Sequence, residues 1–146
     1  MEALFIVLAV VAGVGVTFQA ATNAALGKFS QLGAFSALCS FLCGLPIVLV
    51  YYAVESKGFS RGNYNNIPIW AYVGGFLGAF YVITIIVSVP KLGASTVLAL
   101  TIGAQVITGI MIDHFGILEL EKREATAGRI CGGVIMIIGA VLIAVF

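Results

Sequence analysis

Gln19 and Asn23 stand four residues apart in an otherwise apolar stretch, so a helix brings their amides onto one face. Gln105 lies in another such stretch between Thr101 and Thr108, at spacings of four and three, and Tyr81, Thr84 and Ser88 repeat that pattern in a third. A polar side chain is expensive in lipid and therefore turns toward protein or water. Three segments that each carry one polar stripe have what the lining of a common cavity requires. Thr and Ser hydroxyls can bond back to their own helix, so they are expected to be structural. The amides of Gln19, Asn23 and Gln105 are expected to orient a small polar ligand without carrying charge into the membrane, with Tyr81 as a stacking wall. The alternative is hydrogen bonding that only holds helices together, worth about 0.6–2 kcal/mol per contact.

The charged groups stand elsewhere. No Asp, Glu, Lys or Arg lies in the middle of any apolar run, so a mid-membrane carboxylate that could carry protons is missing. The nearest candidates for gating or coupling are Asp113 and His114, at the end of the run that holds Gln105. A carboxylate at a helix C-terminus meets the negative end of the macrodipole and needs a compensating partner, which His114 or Arg129 could supply. A plain helix-end ion pair is the competing reading. Cys39, Cys43 and Cys131 all fall inside apolar runs and read as small packing residues, and the single His has no second His to join it, so neither a metal nor a cofactor is expected. With no nucleophile–base pair, metal constellation or phosphate loop, an enzyme is the least favoured class.

The elements that must carry these residues follow from composition. The chain has 146 residues, 62% hydrophobic and 9% charged, with a mean hydropathy of +1.18. A soluble domain is about 45–50% apolar and about 25% charged, because its surface must stay wet. Uncharged runs at Ala3–Gly27, Phe29–Val54, Gly62–Pro90, Leu92–Ile112 and Ile130–Phe146 cover 118 of the 146 residues. A hydrocarbon core of ~30 Å needs about 20 apolar residues in a helix. None of the runs alternates as a membrane barrel would. The expectation is an all-α membrane protein, a single domain over residues 1–146 with five transmembrane helices at about 3–26, 33–54, 68–89, 93–112 and 126–146. The first segment is expected to remain as a helix, because a secretory leader would carry Lys or Arg where Glu2 stands. Pro46 is expected to kink the second span, and Pro90 to close the third.

The connections alternate between tight and long. The long side, with the start of span five, carries Lys57, Arg61, Lys122, Arg123 and Arg129, whereas the tight side carries Lys28 and Lys91. Basic residues favour the cytoplasmic side, which places the N-terminus in the cytoplasm and the C-terminus outside. No loop is long or basic enough to bind nucleic acid. Small residues offer faces for close helix approach: Gly74, Gly75 and Gly78 with Ala79 on span three, Gly128 and Gly132 with Gly139 on span five, and Ala20, Ala24 and Gly27 on span one. Such strips serve either packing inside one bundle or a seam between two copies.

The segments Ala12–Phe29 (AGVGVTFQAATNAALGKF), Gly74–Val82 (GGFLGAFYV), Val89–Leu100 (VPKLGASTVLAL), Gly103–Gly116 (GAQVITGIMIDHFG) and Arg129–Leu142 resemble the YdcZ-type family, described as inner-membrane exporters of the drug/metabolite transporter superfamily. The resemblance runs nearly end to end, and its matching positions are Gln19, Asn23, Gly75, Gly78, Pro90, Gly93, Gln105, Asp113 and Gly116. It implies a five-helix unit equivalent to one half of a ten-helix transporter, completed by a second copy or a paralogous five-helix subunit. In transporters built from inverted repeats the substrate site lies at the repeat interface. The loop Glu55–Ile67 and the acidic stretch Glu119–Glu124 depart from the shorter, more basic connections usual in that family.

Together these readings point to a multi-pass protein of a plasma or inner membrane that moves a small organic metabolite or drug-like compound outward, acting as a dimer. The competing class is an accessory or scaffold membrane protein that transports nothing itself.

Overall fold

A computed structural model describes residues 2–56 and 67–146 of the chain. Five long helices carry nearly all of them: α1 (Glu2–Phe29), α2 (Gly33–Glu55), α3 (Val73–Leu92), α4 (Ala94–Phe115) and α5 (Ala127–Val145). Each is long and apolar enough to cross a membrane. Helices arise here because lipid offers no partner for backbone N–H and C=O groups, so each segment must bond within itself. Lys57 and Arg61, two of the five positive charges behind the expected orientation, lie outside the described residues.

Element ends follow local chemistry. Thr126 caps α5, its hydroxyl accepting from the backbone N–H of Arg129 at 3.4 Å. Gly116 ends α4 in the left-handed conformation (φ 62°), and Gly93 precedes α4 at φ 84°, both regions where a side chain is strained. A 3₁₀ turn at Ile69–Tyr72 follows Pro68 and leads into α3. One expectation about proline needs correction. α3 does not close at Pro90 but runs on to Leu92. A proline near the end of a helix displaces only the carbonyl one turn earlier, and Lys91 and Leu92 complete the last turn. α2 runs from Gly33 to Glu55 with Pro46 inside it.

The helices group into two compact units, one ending at Lys91 and one beginning at Leu92. In the first, α1 and α2 form a hairpin whose buried positions are small or polar: Ala20, Asn23 and Ala24 on α1, Ser36 and Ala37 on α2. The strip expected from Ala20, Ala24 and Gly27 is therefore a packing face. Ile85 and Ile86 of α3 are buried in the same unit, and a Cβ at Gly27 or Gly33 would lie 3.2 or 3.1 Å from Ile86 Cγ2. Side-chain-free positions at the hairpin's turn thus give room to one isoleucine methyl.

In the second unit, α4 and α5 pack antiparallel. Gly133 faces Ile110, and seven residues further along α5 Ala140 faces Gly103, seven residues back along α4. Seven residues are close to two helical turns, so one face of each helix is used throughout. A 3₁₀ turn at Ile117–Glu119 and the segment up to Thr126 join the two helices. Leu118 and Glu119 there adopt positive φ (63° and 60°), a strain of roughly 1 kcal/mol or more apiece that neighbouring contacts must offset.

Candidate functional site

In the first unit the structure brings three of the expected pathway residues together. Gln19 and Asn23 of α1 and Tyr81 of α3 line one cleft with Val16, Ala20, Val82 and Ile85. Its free space is about 10 Å³, room for a single water-sized group. The helical spacing of four does align the two amides, and both donate to the same acceptor. Gln19 Nε2 lies 3.2 Å and Asn23 Nδ2 lies 3.1 Å from Ser40 Oγ on α2. One turn earlier on α2, the fully buried Ser36 donates its hydroxyl to the backbone carbonyl of Asn23 at 2.6 Å. Asn23 is only 8% exposed, so it is held at both its side chain and its backbone.

Ser36 and Ser40 are partners of α1 that the sequence did not single out. The signal was present, since they repeat on α2 the i, i+4 spacing of Gln19 and Asn23 on α1. The expectation that hydroxyls bond back to their own helix holds for the threonines: Thr17 donates to Gly13 O, Thr22 to Phe18 O, Thr84 to Phe80 O and Thr101 to Leu98 O, at 2.9–3.0 Å. It fails for Ser36, because its helix lies against α1 closely enough for the hydroxyl to reach another helix's carbonyl. Gln105 lies exposed on α4 in the second unit and makes no side-chain hydrogen bond among the described residues.

At the C-terminal end of α4 the second unit holds a compact polar knot. Of the two partners considered for Asp113, the structure uses Arg129, whose Nη2 donates to Asp113 Oδ2. Its other terminal nitrogen, Nη1, donates to the carbonyls of Arg123 and Glu124, both at 3.3 Å. The fork geometry of a guanidinium allows one side chain to satisfy a carboxylate and two carbonyls at once. The Arg123 N–H donates to the Asp113 carbonyl at 2.8 Å, which takes up one of the orphan groups at the helix end. His114 makes no ion pair with its neighbour but accepts the Ala125 N–H at Nδ1, 3.3 Å away. The knot straps the segment between the helices onto the end of α4.

The glycines expected to serve in packing divide. A Cβ at Gly74, Gly75, Gly78, Gly128 or Gly132 would meet no neighbour within 4 Å in its own unit. Among the described residues, the helical glycines that meet a neighbouring side chain are Gly27, Gly33, Gly103 and Gly133. Gly132 and Gly133 are sequence neighbours on α5, but a rotation of about 100° per residue turns only Gly133 toward α4.

A family model described as "Putative inner membrane exporter, YdcZ" matches residues 4–142. The inner membrane protein YdcZ of Escherichia coli (strain K12) is 26% identical over 145 residues, covering 98% of this chain and 96% of that protein. No solved structure matches the chain. Five helices long enough to span a bilayer, and a family match that takes in every one of them, make this a multi-pass membrane protein that belongs to the YdcZ family of inner membrane exporters.

Proposed function

We propose that the chain is one five-helix domain of an exporter for a small organic metabolite or drug-like compound, working with a second copy or a paralogous five-helix subunit. The observation that carries this reading is the cleft between α1 and α3. There two amides, one of them buried, and a tyrosine gather in helices that are mostly apolar. Lipid penalises such groups unless they serve protein or ligand, and a single serine hydroxyl leaves much of their hydrogen-bonding capacity unspent. Gln105 on α4 is a further pathway residue in this reading, and Asp113 with His114 sits where gating or coupling would act. The N-terminus faces the cytoplasm and the C-terminus the outside.

The test is flux from vesicles that contain the purified, inserted protein, screened against a library of metabolites and drug-like compounds. The expected result is efflux of a defined compound class that is lost in Asn23→Leu and in Gln105→Leu proteins that still insert. Flux unchanged by both substitutions would remove these residues from the pathway. Flux of no compound at all would overturn transport by this chain and favour an accessory role.

A further inference from the structure

The hydrogen bonds around Ser40 say more about the cleft than that polar groups are present. A serine hydroxyl carries one proton, so it can donate to at most one of two amides that face it. Here both amides turn nitrogen toward Ser40 Oγ, at 3.2 Å from Gln19 and 3.1 Å from Asn23. Each amide therefore spends an N–H on α2, and neither carbonyl oxygen, Oε1 of Gln19 or Oδ1 of Asn23, has a partner among the described residues. Gln19, Asn23 and Tyr81 line the cleft, which has no cationic side chain in its lining, and each amide keeps a second N–H beside its unpartnered oxygen.

Resting on the pathway reading above, we infer that Ser40 is the positioning residue of this cleft: by taking an N–H from Gln19 and from Asn23 it leaves their carbonyl oxygens to the ligand, so the site takes compounds that donate hydrogen bonds. A carboxylate or phosphate entering the cleft would meet no compensating positive charge. The cleft has room for one water-sized group, so a single amide N–H, hydroxyl or amine group of a ligand would enter it and meet two acceptors already oriented, with the ordering cost met by the fold rather than by binding. Ser36 supports the same arrangement by holding the Asn23 backbone against α2.

The experiment reads the site directly and needs no transport assay. The full chain in lipid nanodiscs, labelled with ¹⁵N at Gln and Asn side chains, is titrated with acetamide, acetone and acetate. These three probes share one shape; acetamide alone carries N–H donors, and acetate alone is charged. The expected result is that acetamide shifts the Gln19 and Asn23 amide signals while acetone and acetate leave them in place. Ser40→Ala should move both amide signals in the absence of any probe and weaken acetamide binding about 3- to 30-fold, the range one lost interhelical hydrogen bond covers. Ser40→Thr, which keeps the hydroxyl, should restore both properties. Acetone or acetate acting as strongly as acetamide, or acetamide shifting neither signal, would overturn the inference, and the wild-type titration decides this even if Ser40→Ala does not fold. Because binding is read without flux, a failure here is separate from a failure of the vesicle screen.

Discussion

Ser36 shows how much one hydroxyl can matter where two helices touch. It is wholly buried, it is the donor that joins α2 to the α1 backbone, and its small size permits the approach. Ser36→Ala should lower the stability of the protein in micelles by about 0.6–2 kcal/mol, the value of an interhelical hydrogen bond in lipid, read as a shifted midpoint in a denaturant titration. A midpoint equal to that of the wild type would mean that the hydroxyl finds an equally good partner elsewhere. Gly27 is tight in a different way. A Cβ there would meet Ile86 Cγ2 at 3.2 Å and the Gly33 backbone at 3.5 Å. Gly27→Ala presses on the β-branch methyl of a buried isoleucine, which χ1 holds stiffly, and should cost less than Gly27→Leu, which should cost roughly 1–3 kcal/mol through overpacking. Equal midpoints for the two variants would show that the hairpin is looser than these distances imply.

At the scale of elements, the link from α4 to α5 owes its form to one arginine. The Asp113–Arg129 pair is about one-third exposed, with each side chain at 34%, so its charge attraction is screened and modest. The two further bonds of Arg129, to the Arg123 and Glu124 carbonyls, are what fasten the segment down. Arg129→Gln should therefore raise tryptic cleavage after Lys122 and Arg123 about fivefold in micelles, the effect of losing roughly 1 kcal/mol from a closed state. Arg129→Lys should fall between wild type and Arg129→Gln, because an ammonium cannot span a carboxylate and two carbonyls with one fork. Cleavage that stays at the wild-type rate in Arg129→Gln would show that His114 and the Arg123 N–H suffice to hold the segment. The positive φ values at Leu118 and Glu119 fit the same picture, since strain of that kind persists only where surrounding contacts outweigh it.

For the whole molecule, five crossings would put the two termini on opposite sides of the membrane. In the proposed orientation a C-terminal phosphatase fusion should be active and a C-terminal fluorescent fusion dark, because an excess of Lys and Arg on the long-loop side favours the cytoplasm for that side. Activity from both reporters would mean insertion in two orientations, the condition for an antiparallel homodimer of inverted units. If only one orientation occurs, the partner in the proposed assembly is a paralogue or a parallel copy. The glycines without a neighbour in their own unit bear on the same question.

Much of this protein is legible in its residues taken in order. The confinement of charge to the ends of apolar runs determines five helices, because lipid tolerates neither an unpaired backbone nor an unpaired charge. The spacing of Gln19 and Asn23 determines that their amides share a face, and Gly93 and Gly116 mark the turns where only a residue without a side chain sits easily. What the sequence leaves open is rotation. Helices that are apolar around most of their surface carry too little pattern to say which face meets which neighbour. Only the tertiary structure therefore decides that Ser40 stands opposite both amides, that Gly133 rather than Gly132 packs on α4, and that Arg129 rather than His114 takes the Asp113 carboxylate. Each of these depends on contacts between residues far apart in the chain, and local chemistry assigns no partner across such a distance.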